Sequence, residues 1–204
     1  MAKNTMKKQM KLILASQSPR RKQLLENAGY SFEIIPSQVQ EIVKPEWTPE
    51  ECVEQLAIQK AQDVVNRLKT QYNKQDWDNI IVLSADTIVA QNNVIFGKPK
   101  NAEDAHSMLW TLSHSPHRVL TGVCIWKLSE TTGISKVDTT YITMRPLTIE
   151  EIHAYVASGE SEGKAGAYAI QETADQYVEK LDGNFDNVVG LPISVVKELL
   201  AQVS

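Results

Sequence analysis

The run "IIVLSADTIVA", residues 80–90, constrains this chain more than any other stretch. Eleven mostly β-branched and aliphatic residues read as one buried strand. Ser84, Asp86 and Thr87 interrupt it, and an ionised carboxylate inside an apolar strand is costly unless it is paired or bound to a metal. Two readings follow. Either the strand ends at Ser84 and Asp86 sits in a turn, or Asp86 stands at a strand end beside a cleft. In the second case it can bind Mg²⁺ or act as a general base.

The surrounding sequence sets this strand in a mixed α/β domain. Further strand-like runs cover residues 12–15, 32–35, 119–128 and 135–143, with a weaker one at 167–171. Helix signals alternate with them. Ser18 and Pro19 open a helix that Gly29 closes, and Thr48-Pro49-Glu50-Glu51 is a capping box leading into residues 52–68. Asn101 caps a run through residue 112, Thr148 with Glu151 opens a helix that stops at Gly159, and Pro192 begins a last helix to about residue 202. Strands and helices alternate first, and then a long strand pair surrounds "ETTG", so parallel and antiparallel pairing are both expected. No linker-like tract divides the 204 residues, which predicts one domain, or two lobes around one cleft. Residues 1–10 read as a flexible N-terminal extension.

Charge and cysteine usage exclude several classes. The formal net charge of −4 argues against a nucleic-acid footprint, so any cationic cluster is a local device. Cys52 and Cys124 lie far apart with no C-x-x-C spacing, as free thiols in a reducing compartment would. The apolar run after the basic N-terminus is four residues long, too short for a signal peptide, and no membrane-spanning stretch occurs. A cytoplasmic protein with no membrane and no nucleic-acid partner is expected. The four histidines form no zinc pattern, and G-x-S-x-G, G-x-x-x-x-G-K-[ST] and G-x-G-x-x-G are all absent. The four tryptophans are scattered and are expected to pack rather than stack on bases.

Cations do gather at strand–helix junctions. "LASQSPRR" brings the hydroxyls of Ser16 and Ser18 and the guanidinium groups of Arg20 and Arg21 to a helix N-terminus. That end of a helix disfavours positive side chains by about 0.3–1 kcal/mol each, so the pair is either a solvated helix start or an anion site. Lys60 falls on the apolar stripe of its helix, where it either snorkels to the rim or faces an anionic occupant. Gly97-Lys98-Pro99 delivers another lysine, and "GESEGKAGAYAIQ" sets Lys164 among glycines before Tyr168 and Gln171. Each feature alone also reads as an ordinary surface or loop. Together they describe a site for a highly charged phosphate ligand with a hard metal ion.

The segments "LASQSPRRKQLL", "LAIQKA", "SADTIV", "GKPKNAEDA", "HRVLTGV", "GKAGAYAIQ" and "NVVGLP", in this order, resemble the Maf family of nucleoside triphosphate pyrophosphatases from residue 12 to about 203. The resemblance implies an α/β fold: a mixed twisted sheet with flanking helices in an elongated two-lobed body, similar to inosine triphosphate pyrophosphatases. It implies hydrolysis of a nucleoside triphosphate to the monophosphate and pyrophosphate with Mg²⁺ or Mn²⁺. A homodimer is usual for the family. "ADT", the first arginine of "SPRR" and "AIQ" look like the dTTP/UTP-preferring branch. By that likeness Asp86 is the proton acceptor and a metal ligand, with Glu41 beside the metal. Arg20, Thr87 and Gln171 bear on base choice, and Ser16, Ser18, Arg21, Lys60, Lys98 and Lys164 on the phosphates. The chain departs from the family at "SQVQE", where only Glu41 remains of an acid-rich D-x-D-E, and at "AIQET", where Glu172 replaces a glycine. A rival reading attached to the same family is a nucleotide-sensing protein that acts on cell division or septum formation through a partner.

Overall fold

A computed structural model of the chain describes residues 10–170 and 173–203. Its centre is the strand that the sequence marks out. β3 (Ile80–Gln91) runs twelve residues, and every one but Thr87 is buried. The strand does not end at Ser84; Asp86 lies in its middle.

β1 (Lys11–Leu14) lies parallel to β3 on one side and parallel to β2 (Phe32–Ile34) on the other. β5 (His117–Lys127) pairs antiparallel with β3, from Ile81 opposite Lys127 to Ala90 opposite Arg118. β6 (Ile134–Met144) and β7 (Val178–Asp182) continue the sheet antiparallel. A short β4 (Val94–Phe96) folds back on the end of β3, giving a seven-stranded mixed sheet. The turn between β3 and β4 is Asn92-Asn93, both with positive φ (47° and 65°), the conformation a two-residue hairpin loop demands. Asparagine tolerates it at little cost, a signal the pattern of apolar residues alone does not carry.

Helices cover both faces. α2 (Pro49–Gln71) starts at the Thr48–Glu51 capping box and sets Ala57, Ala61, Val64 and Leu68 against Ile13, Val82 and Trp126. On the other face α1 (Pro19–Asn27) and α6 (Ile193–Val203) bury Leu25 and Val196 against Leu12, Leu14, Leu83 and Val123. Ile13 and its neighbours Leu12 and Leu14 thus serve opposite cores, as period-two alternation requires. α3 (Ala102–Ser113), α4 (Ile149–Ala157) and the short α5 (Phe185–Val189) close a further cluster around Leu109, Ile142, Tyr155 and Tyr168. Of the tryptophans, Trp126 packs in the α2 core and Trp77 against its edge.

The weak strand expected at 167–171 is absent from its described residues. Ala165–Ala167 form a 3₁₀ turn with Gly166 at φ 68° and Ala167 at φ 63°. The apolar residues that suggested a strand, Tyr168 and Ile170, are buried in the α3–α4 cluster instead. The edge of the sheet beyond β6 is β7, which sequence patterning does not flag.

Candidate active site

The site is a gap in the sheet beside β3. β1 pairs with β3 only as far as Leu83, and β4 takes up the same edge only from Val89. Between them residues 84–88 have a strand partner on the β5 side alone. Ala15 donates its N–H to the Leu83 carbonyl at 2.7 Å, and the chain then turns away through Ser16 into α1. A cleft of about 840 Å³ opens there. Ser16, Ser18, Arg20, Arg21, Glu41, Lys60, Asp86, Thr87, Lys98 and Lys164 all line it, so sequence-predicted groups from six separate segments meet in one place. Gln171 and Glu172, and the extension but for Met10, lie outside the described residues.

On the α2 side, Lys60 is neither snorkelled nor free. Its ammonium donates to Asp86 Oδ1 and sits 2.9 Å from Glu41 Oε1, so one cation joins both carboxylates. Asp86 is 8% exposed. The close seat of α2 has a cause in β5. Gly122 lies directly opposite Asp86, and a Cβ on it would overlap the Val53 backbone of α2. Glu41 reaches the pair from the β2–α2 loop, whose backbone is held by the same helix. Gln59 exchanges two hydrogen bonds of 2.9 Å with Ile42, and Asp63 accepts the Gln38 N–H at 2.8 Å. Cys52 lines the cleft too. Burial first, then the Asp86 and Glu41 carboxylates, push its thiol above the usual range, so it stands as an un-ionised thiol rather than a nucleophile.

On the α1 side, Arg21 is fixed by three bonds. Nε donates to the Gly190 carbonyl at 2.8 Å, one terminal nitrogen to Ser16 Oγ at 3.3 Å, and the other to Thr87 Oγ1 at 3.0 Å. Burial lowers its pKa, opposed in part by Asp86. Ser18 does cap α1, accepting the Arg21 N–H at 3.4 Å. Arg20 makes no hydrogen bond or ion pair with the described residues, although it lines the same cleft. The far wall joins two loops. Gly166 N–H donates to the Gly97 carbonyl at 3.0 Å, which brings Lys98 and Lys164 to one rim. Behind it, Tyr168 bonds the buried His117 Nε2 at 2.6 Å.

Sequence reasoning missed Thr121 and Asn187. Thr121 is fully buried, its hydroxyl 2.9 Å from that of Thr87 and 3.0 Å from the Asn187 carbonyl. It interrupts the apolar run of β5 as Asp86 interrupts β3, so the same signal was available.

The Maf-like protein family matches residues 11–203. The dTTP/UTP pyrophosphatase of Alkaliphilus metalliredigens is 46% identical over 192 residues, covering 93% of this chain and 94% of that protein. The dTTP/UTP pyrophosphatase of Bdellovibrio bacteriovorus is 44% identical over 191 residues, covering 94% and 97%. Among solved structures, the Staphylococcus aureus Ham1 protein aligns with a TM-score of 0.46 at 12% identity, covering 66% of this chain and 71% of that one. With a family match from Lys11 to Val203 and relatives this similar along nearly their whole length, the chain belongs to the Maf family.

Proposed function

We propose that this protein hydrolyses dTTP and UTP to the monophosphate and pyrophosphate, with Asp86 as general base. The observation that carries the reading is the Asp86–Lys60–Glu41 cluster, set in a cleft rimmed by Arg20, Lys98 and Lys164. The names of the relatives supply the base preference.

The ligand enters between two cationic walls, and the triphosphate lies against Ser16, Ser18, Arg21 and the N–H groups at the start of α1. Lys98 and Lys164 approach from the opposite rim. Asp86 takes a proton from a water as its oxygen bonds the α-phosphorus, and the bond from that phosphorus to the β-phosphate oxygen breaks. Lys60, held between the carboxylates, is placed to neutralise charge on the leaving pyrophosphate. Arg20, Thr87 and Gln171 are assigned to the base.

The donor set fits Mg²⁺ or Mn²⁺, which are commonly held by one or two carboxylates with substrate phosphates completing the shell. Asp86 and Glu41 are such a pair, already drawn to one cation. Bound there, the ion supplies charge neutralisation to the phosphate oxygens. Cytoplasmic placement and a homodimer belong to the same proposal and rest on the family likeness. Among the described residues no helix is long and apolar enough to cross a membrane.

The test is a panel of nucleoside triphosphates with Mg²⁺, analysed for pyrophosphate and orthophosphate. Pyrophosphate release with dTTP and UTP ahead of CTP, ATP and GTP is the expected result. Tight nucleotide binding without turnover would favour the rival sensor of cell division, and orthophosphate release would reject the reaction.

A further inference from the structure

Thr87 and Thr121 face each other across the β3–β5 register, and the directions of their hydrogen bonds are fixed by what surrounds them. A hydroxyl carries one hydrogen and two lone pairs. Thr121 gives its hydrogen to the Asn187 carbonyl at 3.0 Å. It must then accept from Thr87, 2.9 Å away, which commits the only hydrogen that Thr87 has. Arg21 can only donate, so its 3.0 Å bond occupies one Thr87 lone pair. The Gly190 carbonyl, 3.5 Å from Thr87, is at the limit of hydrogen-bond distance and already accepts from Arg21 Nε at 2.8 Å, so Thr121 is the acceptor that holds the Thr87 hydrogen away from the cleft. Asn187 is itself locked, its amide donating to the Val119 carbonyl at 2.9 Å and to Thr140 Oγ1 at 3.0 Å. What Thr87 shows the cleft is one lone pair and no hydrogen.

We propose that Thr121 is a positioning residue that makes Thr87 an obligate acceptor, selecting bases that carry an imide N–H. Uracil and thymine present that N3–H. Cytosine presents an unprotonated N3, so two lone pairs meet and the contact is lost. The inference rests on the function proposed above and adds a source of base choice that lies in the neighbouring strand β5.

Thr121→Val keeps the shape of the side chain and removes the hydroxyl, which frees the Thr87 hydrogen to turn outward. The ratio of kcat/KM for UTP to that for CTP should fall by about 5- to 150-fold, the range for one mismatched base contact. The change should come largely from a gain on CTP, a readout that simple loosening of the fold would not produce. Thr121→Ser should keep the wild-type ratio, and Thr121→Ala gives the same reading if valine is not accommodated. In a Thr87→Val background, Thr121→Val should move the ratio no further. An unchanged ratio in Thr121→Val or Thr121→Ala, or a further shift in the double variant, overturns the wiring while the enzyme reading stands. A wild type that releases no pyrophosphate from UTP or dTTP removes both.

Discussion

Asp86 and Thr87 are consecutive on β3 and leave opposite faces of the sheet, yet both open into one cleft. Asp86 meets Lys60 of α2, and Thr87 meets Arg21 of α1. A strand paired on both edges would separate such neighbours by the thickness of the sheet. Here the vacant edge between Leu83 and Val89 lets a ligand stand beside the strand and touch both faces. Phosphate chemistry and base reading can then be built on adjacent residues of one rigid element, which fixes their separation.

Asp86→Asn keeps the shape of the side chain and its place beside Lys60 while removing the proton acceptor. Turnover of dTTP should fall about 10²- to 10⁴-fold with the protein still folded. A folded variant that turns over like wild type would take the base role from Asp86.

Gly122→Ala tests the support behind that residue. The added methyl meets the Val53 backbone, so α2 must move off the sheet and carry Lys60 from Asp86. The fold should lose about 1–3 kcal/mol, typical of overpacking, and activity should drop although Gly122 does not itself line the cleft. Urea unfolding and kcat measured together check it; full activity in a destabilised variant would mean that the seat of α2 is not what places Lys60.

Arg21 presents a planar fork to three oxygens, a geometry that one ammonium cannot reproduce. Arg21→Ala should lower kcat/KM by similar factors for UTP, dTTP and CTP, and Arg21→Lys should not restore it. Unfolding should be easier by about 1–3 kcal/mol, because the Gly190 carbonyl is left without that partner. A loss confined to one base would move Arg21 into the base pocket.

How much of this was legible beforehand depends on what each element rests on. The helices announce themselves because capping is local: Thr48 with Glu51 and Thr148 with Glu151 fold as written, and in each the hydroxyl accepts the N3 N–H at 3.2 Å. The site residues are legible because a charge in an apolar stripe needs a partner, as Lys60 and Asp86 do. The gap in the sheet is not legible, since it depends on where β1 stops relative to β3, a non-local register. The strand expected around Tyr168 fails for the converse reason. Burial without pairing looks the same as burial with it in a short apolar run.

His117 sets an acid limit on the cleft wall. Burial pushes its pKa down to about 4, while in the unfolded chain it titrates near 6.5. Between those values the unfolded chain binds a proton that the fold does not. This part of the stability is therefore complete above about pH 6.5 and lost as the pH falls toward 4, by about 3 kcal/mol at most. Urea unfolding from pH 4.5 to 7 should show it, and His117→Asn should remove that part of the slope. Equal slopes in the two proteins would mean that the imidazole is not shielded from protonation.

Glu41 carries the remaining acidic function of "SQVQE", and it is exposed on a loop rather than on a strand. Its position is nonetheless specified: Gln59 clamps the next residue through both backbone groups, and Lys60, one position along the same helix, holds its carboxylate. Glu41 is the sole acidic residue of that stretch, so the cation proposed to bind beside Asp86 has no second carboxylate within it to draw on. Glu41→Gln keeps the size and removes the charge. The Mg²⁺ or Mn²⁺ concentration for half-maximal rate should rise about 10- to 100-fold, the scale seen when support of a metal site is lost, while kcat at saturating metal stays within a few-fold of wild type. Mn²⁺ binding followed by electron paramagnetic resonance should weaken by the same factor, independently of turnover. Equal Mn²⁺ affinity in wild type and variant would leave Asp86 and the substrate phosphates as sufficient ligands, and reduce Glu41 to a partner that holds Lys60 in place.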